Sequence, residues 1–323
     1  MVNEGAAKGG FTCADLAGDN DNASAGLDTV NQMAKGFFMA RRGEKEIRIR
    51  GGIKGQFFKP VKILIHYLEL YHNFDIIKCM IVKTEGIVLK TFDFRETSRI
   101  ATFFTRDFGK VKGVLKGIRK DHKKFGSSIE KFSVNDIVYY QYRNSDIHLI
   151  SHCDMKDFFS GLRKDLERMT AASYASELID TLMPAEEQNL EIYNLMQAFL
   201  KCLQSTGDVS KLVQTFQIKI LSLSGFQPHL ETCVSCRKNV ADAPRFSLRL
   251  GGLLCGVCQE SSPETTPISL GAVASILHIQ NNDWDAALRL GMAPFVKKEL
   301  KYVLNHFLVF HLERQLHSTR FLS

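Results

Sequence analysis

The sequence has no uninterrupted apolar run of membrane-spanning length, no secretory leader and none of the short motifs that carry bond-breaking chemistry. Its most apolar-looking region, residues 61–80, is interrupted by Lys62, His66, Glu69, His72, Asp75 and Lys78, so crossing a bilayer would be costly. No N-terminal stretch combines a charged start, an apolar run and a small-residue cleavage site. A Walker-type phosphate loop, GxSxG, HExxH and a carboxylate pair at a recognisable spacing are all missing, which leaves an enzyme reading unsupported. A disulfide framework is also a poor fit. Of the eight cysteines, those at 13, 79, 153 and 202 are scattered and those at 233, 236, 255 and 258 are clustered. That distribution matches a reducing cytoplasm with one metal site.

The cluster is the least ambiguous feature present. Cys233-Val-Ser-Cys236 and Cys255-Gly-Val-Cys258 are separated by 18 residues. Two Cys-x-x-Cys knuckles at this spacing read as a zinc site, with four thiolates closing a tetrahedron. Gly251, Gly252 and Gly256 are expected to supply tight backbone for the second knuckle. Reduced thiols, two disulfides or a redox pair are the alternatives. A redox pair needs one such motif at a helix start, whereas Pro228, Pro244, Gly251 and Gly252 mark loops and hairpins here. His229-Leu-Glu231 with Cys255 and Cys258 also echoes the zinc deaminase pattern, but Leu254 stands where that pattern has proline. A closed set of four thiolates leaves no position for a reactive water, so the metal is expected to be structural.

The net charge of +7 is unevenly spread. Residues 80–154 hold 14 Lys/Arg against 9 Asp/Glu, while residues 155–323 balance 17 against 17. The positive field therefore belongs mainly to one segment, as expected if that segment meets a polyanion. Between residues 110 and 124 there are seven cations and one acid. Such a block is expected to stay mobile until it meets phosphates, although most charge runs are merely solvated surface.

Residues 1–79 show no clear period at first, then a basic patch and an irregular apolar run. They read as a disordered or non-native extension, with Met80 as the expected true start. Residues 80–154 read as all-β, with strands near 81–91, 100–105, 110–115, 136–142 and 147–151. Five short strands fit a closed Greek-key barrel of the OB type, with an SH3-like barrel as the rival. Phe92, Phe94, Phe103, Phe104, Phe108 and Phe125 are interleaved with the cations; most should be core, and one or two on the outer face would be free to stack on bases. From residue 155 the period becomes helical, starting with Phe158, Phe159, Leu162, Leu166 and Met169. Met183-Pro184 stops that helix, helices at 190–203 and 212–223 follow, and Gly225 is placed as a C-cap. Pro263 and Pro267 mark a boundary beyond the ribbon. Ser269 then caps a helix at 270–279, and Pro294 opens one at 295–316 that is expected to pack back on the first helices. His306, His311 and His317 are read as surface or core groups, not ligands.

The order of parts resembles the RecO family of bacterial recombination and repair proteins. The resemblance is carried by Met80-Ile-Val-Lys-Thr-Glu-Gly-Ile-Val-Leu-Lys90, Glu96-Thr-Ser-Arg-Ile100, Phe104-Thr-Arg-Asp-Phe-Gly-Lys110, Leu115-Lys-Gly-Ile-Arg119, Leu223-Ser-Gly-Phe-Gln-Pro228 and the cysteine knuckles. It covers about residues 80–315 and leaves 1–79 unmatched. It implies an α+β multidomain chain, with an N-terminal OB-type β-barrel at 80–154, an α-helical domain at 155–227 and 263–323, and an inserted four-cysteine zinc ribbon at 228–262. It further implies a non-enzymatic, cytoplasmic, nucleoid-associated mediator of repair. Such a protein binds single- and double-stranded DNA, anneals complementary strands and, with RecR, helps load RecA on DNA coated with the single-stranded-DNA-binding protein, whose acidic C-terminal tail it contacts. Carried over by position, the DNA surface comprises Lys90, Arg95, Arg99, Lys110, Lys112, Lys116, Arg119, Lys120, Lys123 and Lys124. One structural Zn2+ would be held by Cys233, Cys236, Cys255 and Cys258. An RNA- or transcription-associated OB and zinc-ribbon protein is the other binding class left open.

Overall fold

The computed structural model describes residues 80–321, apart from 122–124, 126–128, 241–243 and 262–264. The expected extension at 1–79, together with Lys123, Lys124 and Pro263, lies outside the described residues.

Five strands form the first part: β1 (Met80–Phe94), β2 (Ser98–Thr105), β3 (Gly109–Leu115), β4 (Val134–Gln141) and β5 (His148–Asp157). They close in the order β1-β2-β3-β5-β4. β3 and β5 run parallel through Gly113–His148 and Val114–Leu149, while the other strand pairings are antiparallel. Val88 N–H to the Ser133 carbonyl (3.0 Å) and Phe132 N–H to the Val88 carbonyl (2.8 Å) join the entrance of β4 to β1. This Greek-key closure is the OB type, in preference to the SH3-like alternative. Alternation explains the interior: Ala101 and Phe103 of β2 and Val111 and Leu115 of β3 point inward and are buried. Gly109 (φ 62°) makes the β2–β3 turn, and a side chain there would put its Cβ 2.0 Å from the Glu187 carbonyl oxygen. Both demands select glycine.

The helical part comprises α1 (Leu166–Leu182), α2 (Leu190–Leu203) and α3 (Val209–Leu223) before the ribbon, and α4 (Leu270–Asn281), α5 (Trp284–Arg289) and α6 (Pro294–Leu312) after it. Asp165, Asn189, Asp208, Ser269 and Asp283 each accept a hydrogen bond from a first-turn N–H. The helical period expected from Phe158 is not one continuous helix. Phe159 is left-handed (φ 49°), Ser160–Lys164 is a 3-10 turn, and Asp165 is extended. Phe159 and Leu162 nevertheless reach the helical core, which is why the spacing misleads. Gly225 caps α3 as expected (φ 81°), with Phe226 N–H on the Leu221 carbonyl at 2.9 Å. Helix α6 ends at Leu312, before left-handed Glu313, and so is shorter than its sequence period. Its buried stripe, including Leu300, Leu304 and Phe307, packs on α3 and α4. The return to α1 is made by the following turn, whose Ser318 N–H bonds Glu177 at 2.9 Å.

Between α3 and α4 lies a small sheet of β6 (Arg245–Ser247), β7 (Gly252–Leu254) and β8 (Thr265–Pro267), ordered β7-β6-β8. The part of the expected boundary at Pro267 falls inside this sheet, since β8 pairs with β6. Leu230, Phe246 and Leu253 join the helical core, and the Phe246 and Phe307 rings meet edge-on at 5.6 Å. Ile87 and Phe104, on the outer face of the barrel, belong to that core too. Barrel, helices and ribbon sheet therefore share packed contacts. No described helix is long and apolar enough to cross a membrane.

Candidate nucleic-acid interface and metal centre

Strand register orders the outer face of β1-β2-β3 into rows. Ile87, Phe104 and Lys110 form one, under the helices; Lys90, Thr102 and Lys112 the next; Phe92, Ile100 and Val114 the third; Phe94 and Ser98 the last. Away from the helices the β2 members of the rows, Thr102, Ile100 and Ser98, are still buried, while Lys112 is exposed and Phe92 and Phe94 are 50% and 37% exposed. The other interleaved aromatics have structural work. Phe103 and Phe104 are fully buried, Phe125 is buried in the barrel core, and Phe108 packs against that core.

The cations expected to meet DNA fall into two sets. Lys90 and Lys110 both reach Asp180 of α1, at 2.6 and 3.3 Å, and Lys110 also donates to the Asp180 carbonyl at 2.6 Å. Burial pushes the Asp180 carboxyl up, but hydrogen bonds and charge from the two lysines outweigh it and hold it below the usual range. These lysines fasten the barrel to α1. The second set gathers at the β1–β2 tip. Arg99 bonds Asp93 at 3.1 Å, and Arg119 approaches the same carboxylate at 3.7 Å. The Arg119 N–H bonds the Thr97 carbonyl at 3.0 Å. The Arg95 guanidinium lies 5.2 Å from the Phe94 ring centroid. Lys116 and Lys120 flank this contact and are exposed. Of the segment expected to stay mobile through its own charge, residues 116–121 form a turn packed on the barrel. Ile118 is 1% exposed in the barrel core, Gly117 (φ 83°) turns the chain, and the turn docks on the hairpin tip. Charge was visible in sequence; the Asp180 partnership, 90 and 70 residues from its lysines, had no local signal.

The four clustered cysteines do come together. Their Sγ atoms all lie within 4.8 Å of one another, and Cys236 and Cys255 are 3.7 Å apart. A tetrahedral zinc with 2.3 Å bonds has sulfur–sulfur edges of about 3.8 Å, so the spacing fits. Burial works against ionisation of Cys233, yet backbone N–H groups of Cys236, Cys255 and Ser235 bring its thiol down to about 6. A cradle of N–H donors around sulfur suits a metal-bound thiolate. Gly251 (φ 67°) and Gly252, where a Cβ would lie 2.4 Å from the His229 carbonyl oxygen, are required by the hairpin; Gly256 meets only ordinary contact. The deaminase echo finds no support among the described residues. The His229 ring bonds Thr232 at 2.8 Å, and the donor group is four sulfurs. His306 and His311 lie on α6, where the His311 ring meets Phe226, Phe307 and Phe310 at tilted or edge-on angles. His317 follows it.

A closed OB-type barrel with a basic, aromatic rim, packed on helices that carry a four-cysteine ribbon, defines a nucleic-acid-binding protein with a site able to hold a metal ion. Two family models extend this: Recombination protein O N terminal matches residues 80–159 and Recombination protein O C terminal matches residues 163–320. The DNA repair protein RecO of Anaeromyxobacter sp. (strain K) is 31% identical over 243 residues, 75% of this chain and 96% of its own length. Those of Alkaliphilus metalliredigens and Syntrophus aciditrophicus are 28% and 29% identical over 236 and 245 residues, each covering 95% of the relative and 73% and 75% of this chain. The chain belongs to the RecO family of DNA repair and recombination proteins. That assignment displaces the RNA- or transcription-associated alternative.

Proposed function

We propose that this chain is a recombination mediator that binds single- and double-stranded DNA and anneals complementary strands. With RecR it helps load RecA on DNA coated with the single-stranded-DNA-binding protein, and contacts that protein's acidic C-terminal tail. The reading assigns the chain no bond-breaking step. The observation that carries it is the basic turn docked on the β1–β2 tip, which brings Arg95, Lys116, Arg119 and Lys120 beside an open barrel face. Arg99 and Lys112 extend this surface, and Lys123 and Lys124 belong to the same sequence block. Lys90, 46% exposed, lies in the same outer row as Lys112, and it and Lys110 also pair with Asp180. Annealing two polyanions requires their charge to be neutralised without locking either strand by base-specific contacts. Surface lysines and arginines do this by releasing counterions.

Cys233, Cys236, Cys255 and Cys258 would hold one Zn2+. A closed set of four thiolates orders the ribbon and supplies no reactive water. In strand-annealing assays on DNA coated with the single-stranded-DNA-binding protein, RecR is expected to raise the rate of pairing and of RecA loading. Replacing Lys116, Arg119 and Lys120 by Ala is expected to flatten the log–log salt dependence of single-strand binding by roughly 2 units, at about 0.7 per lost phosphate contact. An unchanged slope removes the turn from the DNA surface.

A further inference from the structure

We infer that Phe92 and Phe94 form a stacking ledge for unpaired bases, so that the barrel itself separates single strands from duplex. This rests on the DNA-binding reading above and names the ligand class of the same face.

Residues two apart on a strand share a face, with Cα atoms about 6.7 Å apart. Phe92 and Phe94 thus stand on the outer side of β1 as two separate platforms, 50% and 37% exposed. Beneath Phe92 the same row contains Ile100, which is 4% exposed and lies outside both main core clusters. The outer row nearer the helices, Ile87 and Phe104, is covered by the helical core; the Phe92 and Phe94 rows are not. Single exposed apolar side chains are ordinary, but two rings on one open face beside a basic rim form a patch. Its charge identifies the occupant. Asp93, between the rings in sequence, projects to the opposite side, where Arg99 and Arg119 engage it at 3.1 and 3.7 Å. The face keeps Arg95, 5.2 Å from the Phe94 centroid, and exposed Lys112 one row away. Aromatic faces framed by cations suit a ligand with both π-surfaces and phosphates. Bases in a duplex are stacked on one another and cannot present those surfaces, so the ledge accepts unpaired bases.

The test compares the full chain with Phe92→Leu/Phe94→Leu, which keeps apolar cover over Ile100, and with Phe92→Ala/Phe94→Ala. Fluorescence anisotropy at fixed salt would use a thymidine oligomer, a duplex of equal length and an abasic oligomer of equal length and charge. The leucine variant is expected to lose roughly tenfold or more in affinity for the thymidine oligomer and less than about twofold for the other two. Wild type should bind the abasic oligomer about as weakly as the leucine variant binds the thymidine oligomer. The salt slope should be unchanged in both variants. Undiminished affinity for the thymidine oligomer, or equal losses on all three probes from a variant that melts like wild type, overturns the ledge. The two readings fail separately, because the basic-turn variant changes salt dependence on every probe and the ring variants change base dependence alone.

Discussion

Removing the metal should unfasten the ribbon and leave the DNA face nearly intact. The perturbation is Cys233→Ser, or a strong chelator on the native protein. Cys233 is fully buried, whereas Cys236 is exposed, so the serine variant strikes the best-ordered corner of the cluster. The magnitude follows from what the ribbon buries. Leu230, Phe246 and Leu253 are 3%, 1% and 2% exposed within the core they share with the helices. Fully burying a side chain of this size is worth about 1.5–3 kcal/mol, so some 5–9 kcal/mol of burial depends on the clip that folds this segment. Even the lower figure is a large part of a typical total stability of about 5–15 kcal/mol. At roughly 2–4 °C per kcal/mol for a chain of this size, a loss near 5 kcal/mol lowers Tm by about 10–20 °C. The assay pairs a thermal melt with a colorimetric count of released zinc, expected at about one per chain. DNA affinity, measured well below the new melting point, should stay within about twofold, because phosphate contacts set it. A Cys233→Ser protein that melts like wild type would refute the ribbon's structural role. One that melts normally but no longer binds DNA would place the working surface on the ribbon.

Asp180→Ala leaves Lys110, whose side chain is 13% exposed, without its carboxylate, and should cost about 3 kcal/mol in urea unfolding; Lys110→Met in the same background should restore part of that loss. Acid should weaken the fold through Asp180, Glu85, Glu177 and Asp208, all held below their ordinary values of 3.8 or 4.5 although burial alone would raise them. Depressed carboxyls contribute stability that is present above those values and lost as pH falls through and below them, so the urea midpoint should drop below about pH 4.5; a flat profile would count against these pairs. Ile118→Ala removes the turn's anchor without altering charge, and at about 2–5 kcal/mol for a buried isoleucine it should loosen the turn. Single-strand affinity should then fall severalfold while the salt slope holds, whereas unchanged affinity would show that docking of the turn is irrelevant to binding.

The strands were legible from β-branched and aromatic runs bounded by turn residues, and Phe103, Val111 and Ile137 of these runs are buried. Their closure into a barrel was expected from the number of strands, but the particular parallel β3–β5 pairing was not, since it leaves no mark within either strand. The metal cluster was legible to the residue, because the Cys-x-x-Cys spacing itself fixes which sulfurs turn toward one another. Helix boundaries were legible where a cap residue coincides with the end of the period, as at Asn189, Ser269 and Gly225. They failed where side chains outside a helix point into the same core, as Phe159 and Leu162 do. The short α5, with only Asp283 as a start signal, escaped notice. Among the cations, sequence shows a charge but not its partner. Nothing near Lys90 or Lys110 announces Asp180, and only packing shows that Lys110 is largely buried while Lys90, on the same carboxylate, stays 46% exposed.

The placing of the cations also bears on the proposed annealing, which needs a charged surface that does not hold DNA too tightly. Docking the basic turn costs no charge: Ile118 and the Arg119 N–H hold it in place, while Lys116 and Lys120 remain exposed. Cations already placed lose less conformational freedom on binding than cations on a disordered tether. Asp93 works in the opposite direction, because it occupies part of the capacity of Arg99 and Arg119 that phosphates would otherwise take. Under that proposal, a surface with some cations fixed and free and others partly satisfied by protein carboxylates would bind at once yet yield when complementary strands begin to pair. Neutralising Asp93 would tilt that balance toward tighter, slower-releasing DNA. The four-cysteine ribbon takes no part in this balance. It packs against α6 through Phe246, in a shared core that also takes in Ile87, Leu89, Phe104 and Val134 of the barrel.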